Sequence, residues 1–200
     1  MCQNLNQVEN GRIQLRFSEE VQTRFNYLVD TYDFRCVKVE TTFVRYESDH
    51  IFINIYHGRS SFEIGLEIGQ LFSGIKNEDA YNLSWLIKLD DSKKAMDYRL
   101  YVAKSADLVK KGIYQLCELF KEHAGEAIIG DEHTFKLLAK LREDWSESFA
   151  REIMAGQVRP KANTAFSKKN YAEATYLYES ISSELTPAEL KKLKFARKQR

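Results

Sequence analysis

Residues 34–70 read FRCVKVETTFVRYESDHIFINIYHGRSSFEIGLEIGQ. Apolar side chains occupy alternate positions through most of it: Val37 and Val39, Val44 and Tyr46, Ile51, Ile53 and Ile55, then Phe62, Ile64, Leu66 and Ile68. A period of two is the period of a β-strand with one buried face. The breaks at Glu47 to His50 and Gly58 to Ser61 are short and polar or glycine-bearing, which predicts hairpin turns and an antiparallel meander over about 34–70. The opposite face of the last strand carries Ser61, Glu63, Gly65, Glu67 and Gly69, small or charged throughout. Phe43, Phe52 and Tyr56 interrupt the polar exterior of the preceding strands, so a helix or a partner is expected over part of that second face.

Outward from this meander the rhythm changes. On the N-terminal side, Ile13, Leu15 and Phe17 alternate with polar neighbours and predict a short strand over Gly11 to Phe17. Ser18, followed by Glu19 and Glu20, reads as a helix cap with acids in the first turn. Val21, Phe25, Leu28, Val29 and Tyr32 then form one apolar stripe of a helix ending near Asp33. On the C-terminal side everything after Gly74 reads as helix. One segment covers about Asp79 to Leu89 with Leu83, Leu86 and Ile87, and another begins at Ser105 and carries Val109, Ile113, Leu116, Cys117 and Phe120. Asp131 reads as the cap of a long helix bearing Phe135, Leu138, Leu141, Trp145 and Phe149 to about Ala155. The two prolines, Pro160 and Pro187, each stand where a helix should begin; Thr186-Pro187-Ala188-Glu189 is a capping box with proline at the first helical position. The expected fold is α+β: an N-terminal helix and antiparallel meander followed by an all-helical half. Residues 1–155 are expected to form one α+β domain, with 156–200 a helical segment packed on it.

Within that segment, Ala162, Tyr171, Ala174 and Tyr178 fall where a tetratricopeptide repeat places its small and aromatic contacts. Residues 162–181 resemble one such repeat, with Asn170-Tyr171 at its tight turn, although Ile181 stands where alanine is usual and Pro187 comes one residue late. The resemblance implies a helical interaction surface and carries no catalytic residues with it. The meander itself, with Tyr46 to Ser48, its isoleucine-rich strand and Ser61 to Ile64, resembles strand patterns of small bacterial proteins, some of them toxin-immunity proteins.

Composition narrows the functional classes. Thirty basic and 29 acidic residues give a net charge of +1, so no global field points to nucleic acid or to an anionic membrane. Six of the bases lie in residues 191–200, which read as a basic last turn suited to the helix dipole; nucleic-acid binding through that turn is a third reading, below the two that follow. Three cysteines, Cys2, Cys36 and Cys117, form no framework or Cys-x-x-Cys motif. With no secretory pattern and no run of 18 apolar residues, a cytoplasmic protein without a membrane span is expected. His50, His57, His123 and His133 show no ligand spacing, Asp131-Glu132-His133 reads as an acidic helix start, and phosphate-binding glycine loops and Gly-x-Ser-x-Gly are missing. No metal and no cofactor is therefore expected.

One polar constellation stands out: Arg45, Asn54, Tyr56, His57, Arg59, Glu63 and Glu67, expected to share the outer face and one turn of the meander. As a recognition surface it offers Tyr56 and Arg59 as anchors and two glutamates for a basic partner. The leading expectation is a non-enzymatic protein-binding protein, of the immunity or antitoxin-like kind, whose partner is another protein. The alternative is an enzyme with Glu63, Glu67 and His57 as an acid/base site.

Overall fold

The computed structural model describes residues 11–71 and 79–199. The chain divides into two compact units, Met1–Leu141 and Arg142–Arg200, which places the division earlier than the expected boundary near 155.

The first unit is the α+β part. Helices α1 (Phe17–Arg24) and α2 (Asn26–Tyr32) precede the antiparallel strands β1 (Arg35–Glu40), β2 (Phe43–Glu47), β3 (Ile51–His57) and β4 (Glu63–Gln70). The meander is thus where the period of two put it. Two short strands also pair with β4: β5 (Ala80–Asn82) and β6 (Tyr101–Val102). At three and two residues, neither is long enough to show a period. Helices α3 (Leu83–Asp90), α4 (Ser92–Asp97) and α5 (Ala106–His123) complete the unit, together with the first turns of α6 (Glu132–Ser167).

Register decides which side chains meet the helices. Ile53 lies between Tyr46 and Ile68, and Ile55 between Val44 and Leu66, so one face of β2, β3 and β4 is continuously apolar and buried. Against it pack Val21, Phe25 and Leu28 of the first helices, Leu86 and Ile87 of α3, and Ile113 and Phe120 of α5. Each fully buried side chain of this size contributes about 1.5–3 kcal/mol. α5 begins where expected, and Ser105 caps it, its hydroxyl accepting from the Leu108 amide.

Several expectations are corrected. Residues 11–13 are helical rather than extended, and Leu15 and Arg16 close turns onto the carbonyls of Arg12 and Ile13. Leu15 and Phe17 are buried while Ile13 is 57% exposed, so the alternation there is coincidental. Ser18 lies inside α1; the cap position is Arg16, in the left-handed region at φ 55°. The helical stripe breaks at Phe25, and Val29 and Tyr32 are left partly exposed rather than buried. Val37 and Val39 sit on the edge strand, each 47% exposed. Val37 is the extra residue of a bulge, since Cys36 pairs with Tyr46 and Lys38 with Arg45, and bulges commonly blunt such edges. The helix foreseen from Asp79 starts at Leu83, after β5.

The second unit contains the rest of α6, α7 (Tyr171–Ser180) and α8 (Pro187–Lys198). Pro160 does not start a helix: α6 runs through it to Ser167. The carbonyl that a mid-helix proline crowds is that of residue i−4, here Gly156. Ala162, Ala165, Ala174, Tyr178 and Leu193 form a small core, and the Tyr178 hydroxyl donates to Asn163 Oδ1 at 2.9 Å. Phe166, Tyr171 and Phe195 meet edge to face in a mutual trio at 5.7–6.0 Å. The capping box is present at Thr186 and Glu189, with Pro187 at the first turn.

Two glycines separate close packing from helix propensity. A Cβ on Gly69 would strike the Asp79 carbonyl and the Phe52 ring, whereas one on Gly156 meets nothing within 4 Å. Thermal melts should show Gly69→Ala destabilised by about 2 kcal/mol or more, the cost of overpacking. Gly156→Ala should be stabilised by about 0.5–1 kcal/mol.

Candidate functional site

The second face of the meander is built from three cross-strand rows. The central row is Lys38, Arg45, Asn54, Glu67 and Asn82, each residue opposite the next. On one side Phe43, Tyr56 and Gly65 stand in register; on the other, Glu47, Phe52 and Gly69. The glycines explain the aromatics. The Tyr56 ring occupies the space a Cβ on Gly65 would take, and the Phe52 ring that of a Cβ on Gly69. This face is therefore covered in large part by its own side chains, which is how Phe52 comes to be 1% exposed.

Charge is laid over this aromatic floor. The Arg45 guanidinium lies 4.2 Å above the Phe52 ring, donates to Glu47 Oε1 at 2.6 Å and reaches Asn54 Oδ1 at 3.4 Å. Burial first, and then the charges of Glu67 and Glu63, push the Tyr56 hydroxyl above its ordinary pKa. Of the seven residues singled out in the sequence, Arg45, Asn54, Tyr56, Glu63 and Glu67 lie on this face, Glu63 at its end opposite Val102.

His57 and Arg59 are elsewhere. His57 has the parity of Ile53 and Ile55 and points into the core, 2% exposed, its ring stacked on Phe17 at 5.5 Å and edge-on to Phe62 at 5.8 Å. Counting the pleat from Ile55 would have placed it there. Arg12 donates to His57 Nδ1 at 3.0 Å, and His57 Nε2 lies 2.8 Å from the Ala103 carbonyl oxygen. A guanidinium only donates and a carbonyl only accepts, so Nδ1 is bare and Nε2 carries the hydrogen: His57 is neutral. Arg12 also donates to the carbonyls of Gly58 and Arg59 and covers the Phe62 ring at 3.9 Å. Arg59 itself is exposed in the turn. The imidazole and the two glutamates are on opposite sides of the sheet, so the acid/base constellation of Glu63, Glu67 and His57 is not assembled. Arg12, buried and central to this turn, lacked any local sequence signal.

A second histidine is held by carboxylates. His123, at the end of α5 with its side chain 2% exposed, places Nδ1 at 2.8 Å from Asp90 Oδ2. Its Nε2 lies 3.7 Å from Glu122 Oε2 and has no hydrogen-bond partner. Glu122 is also engaged by Lys94 at 2.7 Å, so this group ties α3, α4 and the end of α5 together. Asp131, in the acidic start of α6, accepts from both the hydroxyl and the amide of Thr134, which hold its carboxyl below the usual range. Among the described residues no group of three His, Cys, Asp or Glu side chains is arranged to hold a metal ion, and no helix is long and apolar enough to cross a membrane.

The sequence stripe of α6 is divided in an unexpected way. Phe135 and Leu138 are buried in the core of the first unit. Beyond them, in the second unit, all twelve residues from Glu143 to Met154 are exposed. Trp145 and Phe149 stack on each other at 5.3 Å and 8°, each about half exposed, and Ile153 and Met154 are 49% exposed. No family model, no curated protein and no solved structure matches this chain.

Burial, chiefly, lowers the His57 pKa below its ordinary 6.5. The unfolded chain therefore binds the proton first, and stability is fully present above about pH 7 and falls as pH drops through 6.5 toward the folded value. NMR titration should show the neutral His57 ring carrying its hydrogen on Nε2 and taking up a second proton only at lower pH than an exposed imidazole does. A ring that titrates at or above the pH of an exposed imidazole, or that carries its hydrogen on Nδ1, would contradict this assignment.

Proposed function

We propose that this chain is a non-enzymatic protein-binding protein. The observation that carries the reading is the exposed run from Glu143 to Met154, with Trp145, Phe149, Ile153 and Met154 each about half in solvent. Isolated helical segments of this length are marginal in water and normally depend on a buried apolar face. Tryptophan and its aromatic neighbours are also the side chains that concentrate binding energy at protein interfaces. The finer reading, a bacterial immunity or antitoxin-like protein acting in the cytoplasm, rests on the strand and repeat resemblances. It makes the partner a toxic or effector protein.

The sheet face supplies a second, more polar surface for the same role. Arg45, Tyr56, Glu63 and Glu67 are neither fully buried nor fully exposed, and Arg45 is already paired with Glu47 within the face. That pattern suits a rim rather than an anchor.

The test is affinity purification of the full chain at native level from its source, compared with Phe149→Ala. The wild-type chain should retain a stoichiometric partner that Phe149→Ala loses, while both melt within about 2 °C of each other, because surface positions change stability by no more than about 0.5 kcal/mol. A wild-type chain that purifies alone would contradict the reading.

A further inference from the structure

Resting on the protein-binding reading, we propose that residues 143–154 of α6 insert as a helix into an apolar groove of a different protein whose rim is basic. Three observations select this occupant. At about 100° per residue, Trp145, Phe149 and Ile153 fall within one narrow stripe, and Ala150 and Met154 extend it to about half of the helix circumference. Ser146 and, at the N-terminal end, Glu143 interrupt it. A single neighbouring helix covers less than that arc, whereas a groove touches a helix on several sides. Residues four apart are neighbours on one helix face, so Trp145, Phe149 and Ile153 can enter such a groove side by side.

Charge selects against pairing of this segment with its counterpart in a second copy. The segment holds Glu143, Asp144, Glu147 and Glu152 against Arg151, a net charge of −3. Arg151 already lies 3.4 Å from Glu147 and 3.6 Å from Glu184. Two such segments side by side would set acid against acid, whereas a basic rim would be drawn to them. Length points the same way. Twelve residues span about 18 Å, and one flat helix-to-helix contact of that length falls short of the roughly 800 Å² per partner of a stable complex. Enclosure in a groove makes up the difference.

The experiment places p-benzoylphenylalanine at position 149, or at position 56 as a comparison, in the full chain expressed in its source cells. Any protein trapped on irradiation is then produced separately and titrated with the unmodified chain. The expected result is a different protein trapped from position 149. Its affinity should fall at least about 30-fold for Phe149→Ala. Its association should slow about tenfold for the double variant Asp144→Lys, Glu152→Lys and also with rising salt. A second copy trapped at 149 would overturn the inference in favour of self-association, and a rate indifferent to charge would overturn the basic rim. A partner trapped only from position 56 would leave the protein-binding reading standing and remove the groove. Nothing trapped from either position would remove both.

Discussion

Everything in the first unit depends on the register of β3 against β4. With Ile53 opposite Ile68 and Ile55 opposite Leu66, one face is given to the core. The same alignment forces Phe52 and Tyr56 opposite Gly69 and Gly65 on the other. A slip of one residue would exchange the two faces entirely. The glycines make the alignment specific, because only a residue without a Cβ leaves room for an aromatic ring lying across the strand. Arg45 then closes over Phe52, and the face that looked in need of a cover proves to be folded onto itself.

This explains what was legible in the sequence and what was not. Strands β2, β3 and β4 announced themselves because each has one buried face, and Thr186-Pro187 announced its helix because capping is a local matter. The short strands β5 and β6 are defined only by where β4 runs, and Leu15 and Phe17 are buried by a tertiary arrangement that merely mimics alternation. Val37 and Val39 match a buried strand in pattern and lie at an edge in fact, because position within a sheet is set by topology rather than by the strand's own residues. His57 was misplaced by taking it with its polar neighbours, when strand parity already assigned it to the core.

The candidate surfaces divide similarly. Arg45, Asn54, Tyr56, Glu63 and Glu67 were readable as a shared face from period two alone. The anchor on α6 was not, since Phe135, Leu138, Trp145 and Phe149 form one apolar progression along the helix. Only the tertiary structure shows that its first half is core and its second half is exposed. Apolar periodicity predicts that something covers a face; it does not distinguish the chain's own elements from those of another protein. Arg12 illustrates the converse, a charged residue made structural by carbonyls and an imidazole distant in sequence.

The account turns on that second half of α6 being open in the isolated chain. Acrylamide quenching of Trp145 fluorescence, in a Trp85→Phe background so that it is the one remaining tryptophan, measures this directly. Efficient quenching and a red-shifted emission in the purified monomer are the predicted result. A blue-shifted emission resistant to quencher would show that the stripe is already covered, and would contradict the account.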